Sequence, residues 1–198
     1  MPKLTWPAPE RNQQPISEVL TRVLEESGTL LEIASGTGQH AVYFARRMTR
    51  WIIQPSDVAA ENLDSIRAWV RESALPNLRE PVRIDVLAPD WIALSPSAIF
   101  NANMIHIAPW EAAIGLVSGS ARLLGSGGKL VIYGPFRVGG RHTAPSNEDF
   151  DRSLRERDPR FGVRDLEALV ELAERFGFNL QERVTMPANN STLVFAKL

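Results

Sequence analysis

Cysteine is absent from the 198 residues. That excludes disulfides, thiolate metal sites and cysteine nucleophiles together, and it suits a reducing, cytoplasmic setting. A surplus of one charge is also missing. Lys and Arg number 22 and Asp and Glu 23, a formal net charge of −1, so no broad field draws the chain to nucleic acid or an anionic membrane. No apolar run approaches the roughly 18 residues of a membrane span. Met1 to Pro9 carry one lysine and no apolar stretch, unlike a secretory signal. Histidine occurs only at His40, His106 and His142, too scattered for a metal cluster, and no metal is expected. There is no G-x-x-x-x-G-K-[ST] loop, H-E-x-x-H helix or G-x-S-x-G elbow. The five tryptophans do not interleave with a basic stripe, as single-strand binders require, and read as packing residues.

What is present is an ordinary soluble composition, 44% hydrophobic and 23% charged. We expect one domain over 1–198, monomeric or homodimeric, with an irregular N-terminal arm over 1–15. Ile16, Val19, Leu20, Val23 and Leu24 recur at helical spacing, which predicts a helix over 16–26 ended by Gly28. Strands are expected over 29–34, 51–57, 81–86, 97–104 and 129–134. Helices are expected over 38–48, 59–73, 111–124, 147–157 and 165–176. The segments 179–185 and 192–196 alternate like paired strands around a turn at 187–190. Strand and helix alternation predicts an α/β fold, a mostly parallel sheet with helices on both faces. No helix separates the last two strands, so one of them runs antiparallel.

The most informative stretch is Leu30 to His40, an apolar run ending in Glu32 and followed at once by Ala34, Ser35, Gly36, Thr37 and Gly38. A strand, a turn without bulky side chains and a helix N-terminus let backbone N–H groups approach a ligand. The preceding acid suits hydroxyls or positive charge better than phosphate. A nucleoside with a ribose diol and a cationic centre, such as S-adenosylmethionine (SAM), fits. Asp57 follows Gly38 by 19 positions, close to the roughly 20 expected when a strand-end acid reads a ribose.

On these residues the chain resembles class I SAM-dependent methyltransferases, whose first-strand motif is E/D-x-G-x-G-x-G. The resemblance implies a three-layer, Rossmann-like, seven-stranded sheet with an antiparallel C-terminal strand. It places Glu32, Ala34, Ser35, Gly36, Gly38 and His40 at the cofactor's amino-acid end, Asp57 on the ribose, and Asp85 with Val86 on the adenine. Asn103 would form the floor near the reactive methyl. Ala34 replaces the motif's first glycine, and alanine fits there if φ is negative. A closer resemblance is to a small methyltransferase-like family catalogued as a domain of unknown function, DUF938. It rests on Glu10-Arg11-Asn12 with Pro15-Ile16, Glu32 to His40, Asn103 to Trp110, Tyr133-Gly134-Pro135-Phe136, and Ser146-Asn147 with Phe150-Asp151 and Leu154.

The acceptor side is expected to use Asn12, Asn103, His106 and Phe136, with His106, Tyr133 and Arg11 as candidate catalytic residues. His106 can in principle take a proton near neutral pH. The leading reading is transfer of the sulfonium methyl of SAM to a small molecule. Two alternatives stay open. Gly36-x-Gly38-x-x-Ala41 also suits an NAD(P)-dependent oxidoreductase, although no Tyr-x-x-x-Lys pair exists. A non-catalytic SAM-binding protein would explain the Ala34 departure.

Overall fold

The computed structural model describes residues 3–91 and 94–198. In chain order it contains α1 (Pro7–Val23), β1 (Gly28–Ile33), α2 (Gln39–Arg47), β2 (Trp51–Asp57), α3 (Ala60–Ser73), β3 (Val82–Arg83), β4 (Ala98–Ala102) and a 3-10 turn at Met104–His106. There follow α4 (Trp110–Leu123), β5 (Lys129–Gly134), β6 (Phe136–Val138), β7 (Arg141–His142), α5 (Pro145–Arg157) and β8 (Arg164–Asp165). The chain closes with α6 (Leu166–Arg175), β9 (Phe178–Met186), a 3-10 turn at Pro187–Asn189 and β10 (Asn190–Lys197).

Seven strands form one sheet in the order β3-β2-β1-β4-β5-β10-β9. The strands from β3 to β5 are parallel, and β10 runs antiparallel to both β5 and β9. Side chains alternate across each strand. On β1, Leu30 therefore packs with Ile16, Leu20 and Phe44 on one face, while Leu31 and Ile33 pack with Leu116, Val117 and Leu169 on the other. Helices α1 to α3 cover the first face, and α4 with α6 covers the second. Strands covered on both faces read as near-continuous apolar runs, which is why β1 and β5 were plain in the sequence. Each fully buried Ile or Leu contributes about 1.5–3 kcal/mol.

Four expectations are corrected. The N-terminal arm is helical from Pro7 onward. Pro7 and Pro9 sit in the first turn, where a missing N–H costs nothing. Pro15 lies inside the helix, where the lost hydrogen bond is offset by burial of Ile16, Val19 and Leu20 beyond it. That helix ends at Val23, and Gly28 opens β1 instead of closing α1. The third strand shrinks to two residues because Asp85 Oδ1 accepts from Leu87 N at 3.0 Å and turns the chain aside. The fourth strand stops at Ala102, since Asn103 takes φ 62 and starts the 3-10 turn. The sequence also gave no sign of a second, three-stranded sheet, β7-β6-β8. No described helix is long and apolar enough to cross a membrane.

Candidate active site

Open α/β sheets leave a crevice beyond the carboxyl ends of their strands. Here it lies past β1, β2 and β4 and encloses about 460 Å³, within the ~300–1,000 Å³ of small-molecule sites. Its floor is the turn after β1, and Ala34, Ser35, Gly36 and His40 line it. The turn is latched to β2. Ser35 N donates to Ser56 O at 2.8 Å, and Ser56 Oγ donates to Glu32 O at 2.7 Å. Asn101 Nδ2 ties Ile33 O from the other side at 2.9 Å.

Ala34 has φ +57, not the negative value that suits alanine. A left-handed backbone is one glycine takes without strain, and here an alanine is held in it by these latches. Gly38 does not line the crevice. It is the N-cap of α2, and a Cβ there would meet the Ile66 backbone of α3 at 3.1 Å, so its bareness serves helix packing.

Asp57 ends β2, is 4% exposed and lines the crevice. Its Oδ2 accepts from Gly36 N at 2.9 Å, and its Oδ1 accepts from Ala59 N at 3.0 Å and Asn62 Nδ2 at 3.1 Å. The carboxylate thus fixes both the β1 turn and the start of α3, and keeps acceptor capacity on Oδ2 for a ligand hydroxyl. Ile84, Asp85, Val86 and Leu87 form the wall next along from it.

The N-terminal segment is the roof. Trp6, Ala8, Pro9 and Asn12 line the crevice. Trp6 is 47% exposed, and its ring covers Gly36. Backbone groups pin the segment. Leu4 N donates to Ser65 Oγ at 2.7 Å, Trp6 N donates to Gln39 Oε1 at 2.7 Å, and Leu4 O accepts from Trp69 Nε1 at 3.0 Å.

Beneath the roof a polar chain crosses the site. Asn12 Oδ1 lies 2.7 Å from His40 Nε2. A carbonyl oxygen only accepts, so Nε2 carries the proton. His40 Nδ1 faces Glu32 Oε1 at 3.6 Å. Glu32 is buried below the crevice floor and does not line the crevice; its Oε2 is buried without a partner. An unpaired buried carboxylate oxygen is costly, and a cationic ligand near it lowers that cost. This orphan, the bent turn and the buried Asp57 fit an adenosyl sulfonium with an ammonium tail.

A second cavity of about 910 Å³ adjoins the first, sharing Ala8, Asn12 and Asn103 with it. Arg11, Tyr133, Asn147 and Phe150 line it, as does the 187–190 turn. Tyr133, the last residue but one of β5, has only 4% of its surface exposed. Burial pushes its hydroxyl pKa up, against the opposing pulls of the Asn12 side chain and the Arg11 charge. Asn147 Nδ2 donates to Asn189 O at 2.9 Å and Thr143 Oγ1 at 3.0 Å, fixing α5 to that turn.

The structure does not bring His106 or Phe136 to either cavity. His106 is fully buried, both ring nitrogens lack partners, and the ring meets Phe136 edge-on at 5.3 Å. Burial, aided by the Arg164 charge, pulls its pKa down to about 3. The ring lies under Gly134, where a Cβ would come 2.4 Å from Nε2. The physical reason is the 3-10 turn, which carries the chain inward directly after Asn103. Sequence reasoning missed Trp6, Asn62 and Asn147. Asn147 had been noted only within a family match, and Trp6 carried no periodic signal. No group of three or more metal-ligating side chains occurs among the described residues.

The sheet order, with one antiparallel strand inserted beside β5, is that of class I methyltransferases. Solved structures agree on the fold. An O-methyltransferase family protein from Burkholderia thailandensis superposes with a TM-score of 0.82 at 16% identity, over 96% of this chain and 57% of that one. An O-methyltransferase family 2 protein from Planctomyces limnophilus, in complex with apigenin, gives 0.79 at 15% identity, over 96% and 60%. CalO1, a methyltransferase in calicheamicin biosynthesis in its S-adenosylhomocysteine-bound form, gives 0.75 at 16% identity, over 96% and 55%. The chain spans little more than half the length of these neighbours. Residues 3–197 match the family described as Protein of unknown function (DUF938), and the chain belongs to it.

Proposed function

We propose that the protein is a SAM-dependent methyltransferase acting on a small molecule. One observation carries the reading: a roofed crevice with a cofactor-shaped polar pattern adjoins, at Ala8, Asn12 and Asn103, a second cavity large enough for an acceptor. A silent binder has no need of that second space. The neighbours bound to S-adenosylhomocysteine and to apigenin support the reading by analogy of fold.

Bound SAM supplies an activated sulfonium methyl, so the chain's own work is alignment and exclusion of water. Asp57 accepts from the ribose diol. Ile84, Val86 and Leu87 enclose the adenine, with Asp85 at its polar edge. The turn 34–36 gives room for the amino-acid tail, and Glu32 offsets its positive charge. Trp6 and Pro9 keep bulk water out. Asn103 stands where methyl and acceptor meet, with Tyr133 and Arg11 on the acceptor side.

Calorimetric titration with S-adenosylhomocysteine and, separately, NAD(H) tests this. Binding of the thioether and not of the dinucleotide is expected. The reverse result overturns the reading.

A further inference from the structure

We propose that the second cavity takes a small carboxylic acid and that its carboxylate oxygen is the methyl acceptor. The inference rests on the methyltransferase reading and deepens it. Charge is the first ground. Among the described residues lining this cavity, Arg11 is the one charged side chain and none is a carboxylate. An anion gains from that setting, and an ammonium is repelled by it. Tyr133, at the junction, is held in its protonated, donating form by burial. Arg11 and Tyr133 both line this cavity and both carry donors. Asn103 adds an amide at the shared wall.

The second ground is what the junction lacks. An alcohol or phenol acceptor needs a base to take its proton. His106 is enclosed under Gly134 and reaches neither cavity. His40 lines only the cofactor crevice, and its protonated Nε2 is committed to Asn12 at 2.7 Å. Asp57 lies on the far side, holding three N–H donors. With no free base among the described residues facing the cavity, an oxygen acceptor must arrive ionised. A carboxylic acid does so at neutral pH, since its pKa is near 4.

The step then balances without proton transfer. A carboxylate oxygen gives a lone pair to the methyl carbon, forming the O–CH3 bond. The S–CH3 bond breaks, and its electron pair stays on sulfur. The products are a neutral methyl ester and S-adenosylhomocysteine. Phe150, Pro135 and Pro187 add apolar lining for the acid's ring or chain.

The test begins with protein loaded with S-adenosylhomocysteine, titrated with benzoate, phenylacetate and hexanoate and, in parallel, with the matching primary amides and alcohols. Ligand-observed NMR reads binding. Transfer of labelled methyl from SAM to the same panel reads chemistry. We expect the carboxylates to bind at least tenfold tighter than the amides and to give labelled esters. Arg11→Gln is expected to erase most of that preference while S-adenosylhomocysteine affinity holds. Equal binding of acids and amides, a preference unchanged in Arg11→Gln, or label appearing only on alcohols overturns the proposal. Failure of S-adenosylhomocysteine itself to bind overturns the function reading instead, so the two failures are told apart.

Discussion

Asp57 is the residue where structure and binding are most closely tied, and its replacement separates them. Three donors converge on the carboxylate, two of them backbone N–H groups at Gly36 and Ala59. In Asp57→Ala those two lose a charged acceptor in a site only 4% exposed, whereas the Asn62 amide can turn toward water. At about 1–1.5 kcal/mol for each stranded N–H, the expected loss of stability is about 2–3 kcal/mol. Asp57→Asn keeps the volume but sets an NH2 against one of the N–H donors, so it is expected to cost about 1–3 kcal/mol. Urea denaturation with a constant m-value reads these losses. Calorimetry at a temperature where both variants stay folded reads S-adenosylhomocysteine affinity, which is expected to fall about tenfold or more in Asp57→Asn. A stability loss with unchanged affinity would show that the carboxylate is only a latch and that the ribose lies elsewhere. Unchanged stability in Asp57→Ala would refute the hydrogen-bond argument itself.

Two further outcomes are expected. Ala34→Gly relieves a left-handed backbone costing about 1–2 kcal/mol but adds unfolded-state entropy of about 0.4–1 kcal/mol, so a net gain of about 0.5 kcal/mol is expected in the urea midpoint; a loss above about 1 kcal/mol would show that the alanine methyl packs too well to give up. His106 has a folded pKa of about 3 against about 6.5 when unfolded. Between those values the unfolded chain binds more protons, so stability is full above pH 6.5 and falls as pH drops, by up to about 1.4 kcal/mol per pH unit. An NMR titration in which the His106 ring shifts stay fixed down to pH 4, with a flatter acid limb in His106→Leu, supports this; ring titration near pH 6.5 refutes it.

The parallel core of the sheet was legible because burial on both faces leaves a long apolar signature. Trp51–Asp57 and Lys129–Gly134 match their expected bounds residue for residue. The cofactor side of the site was legible for a related reason: a turn that must approach a ligand shows as small residues, and strand-end acids show by their spacing. What was hidden depends on tertiary partners. Nothing local marks Pro7 to Pro15 as helix, since prolines and polar residues usually signal an irregular arm. Only docking of the segment through Leu4, Trp6 and Asn12 makes it a roof. His106 misled because a histidine beside a strand end looks like a base, while burial depends on how the following 3-10 turn is directed. The small sheet β7-β6-β8 uses strands of two or three residues, too short for any alternation to show.

The roof also explains why one element serves both cavities. Asn12 lines each of them, bonds His40 on the cofactor side and acts on Tyr133 on the acceptor side. The neighbouring Arg11 faces only the second cavity. Residues 11 and 12 are about 100° apart around a helix axis of 3.6 residues per turn, enough for adjacent side chains to address two adjoining spaces. An irregular arm has no such fixed angle. The helical start of α1, which Pro7 favours and Pro15 weakens, is therefore what sets Arg11 and Asn12 to their separate cavities. Undocking of the segment before Ile16 would remove a wall from both at once, while the core contacts of Ile16, Val19 and Leu20 held the rest of the helix in place.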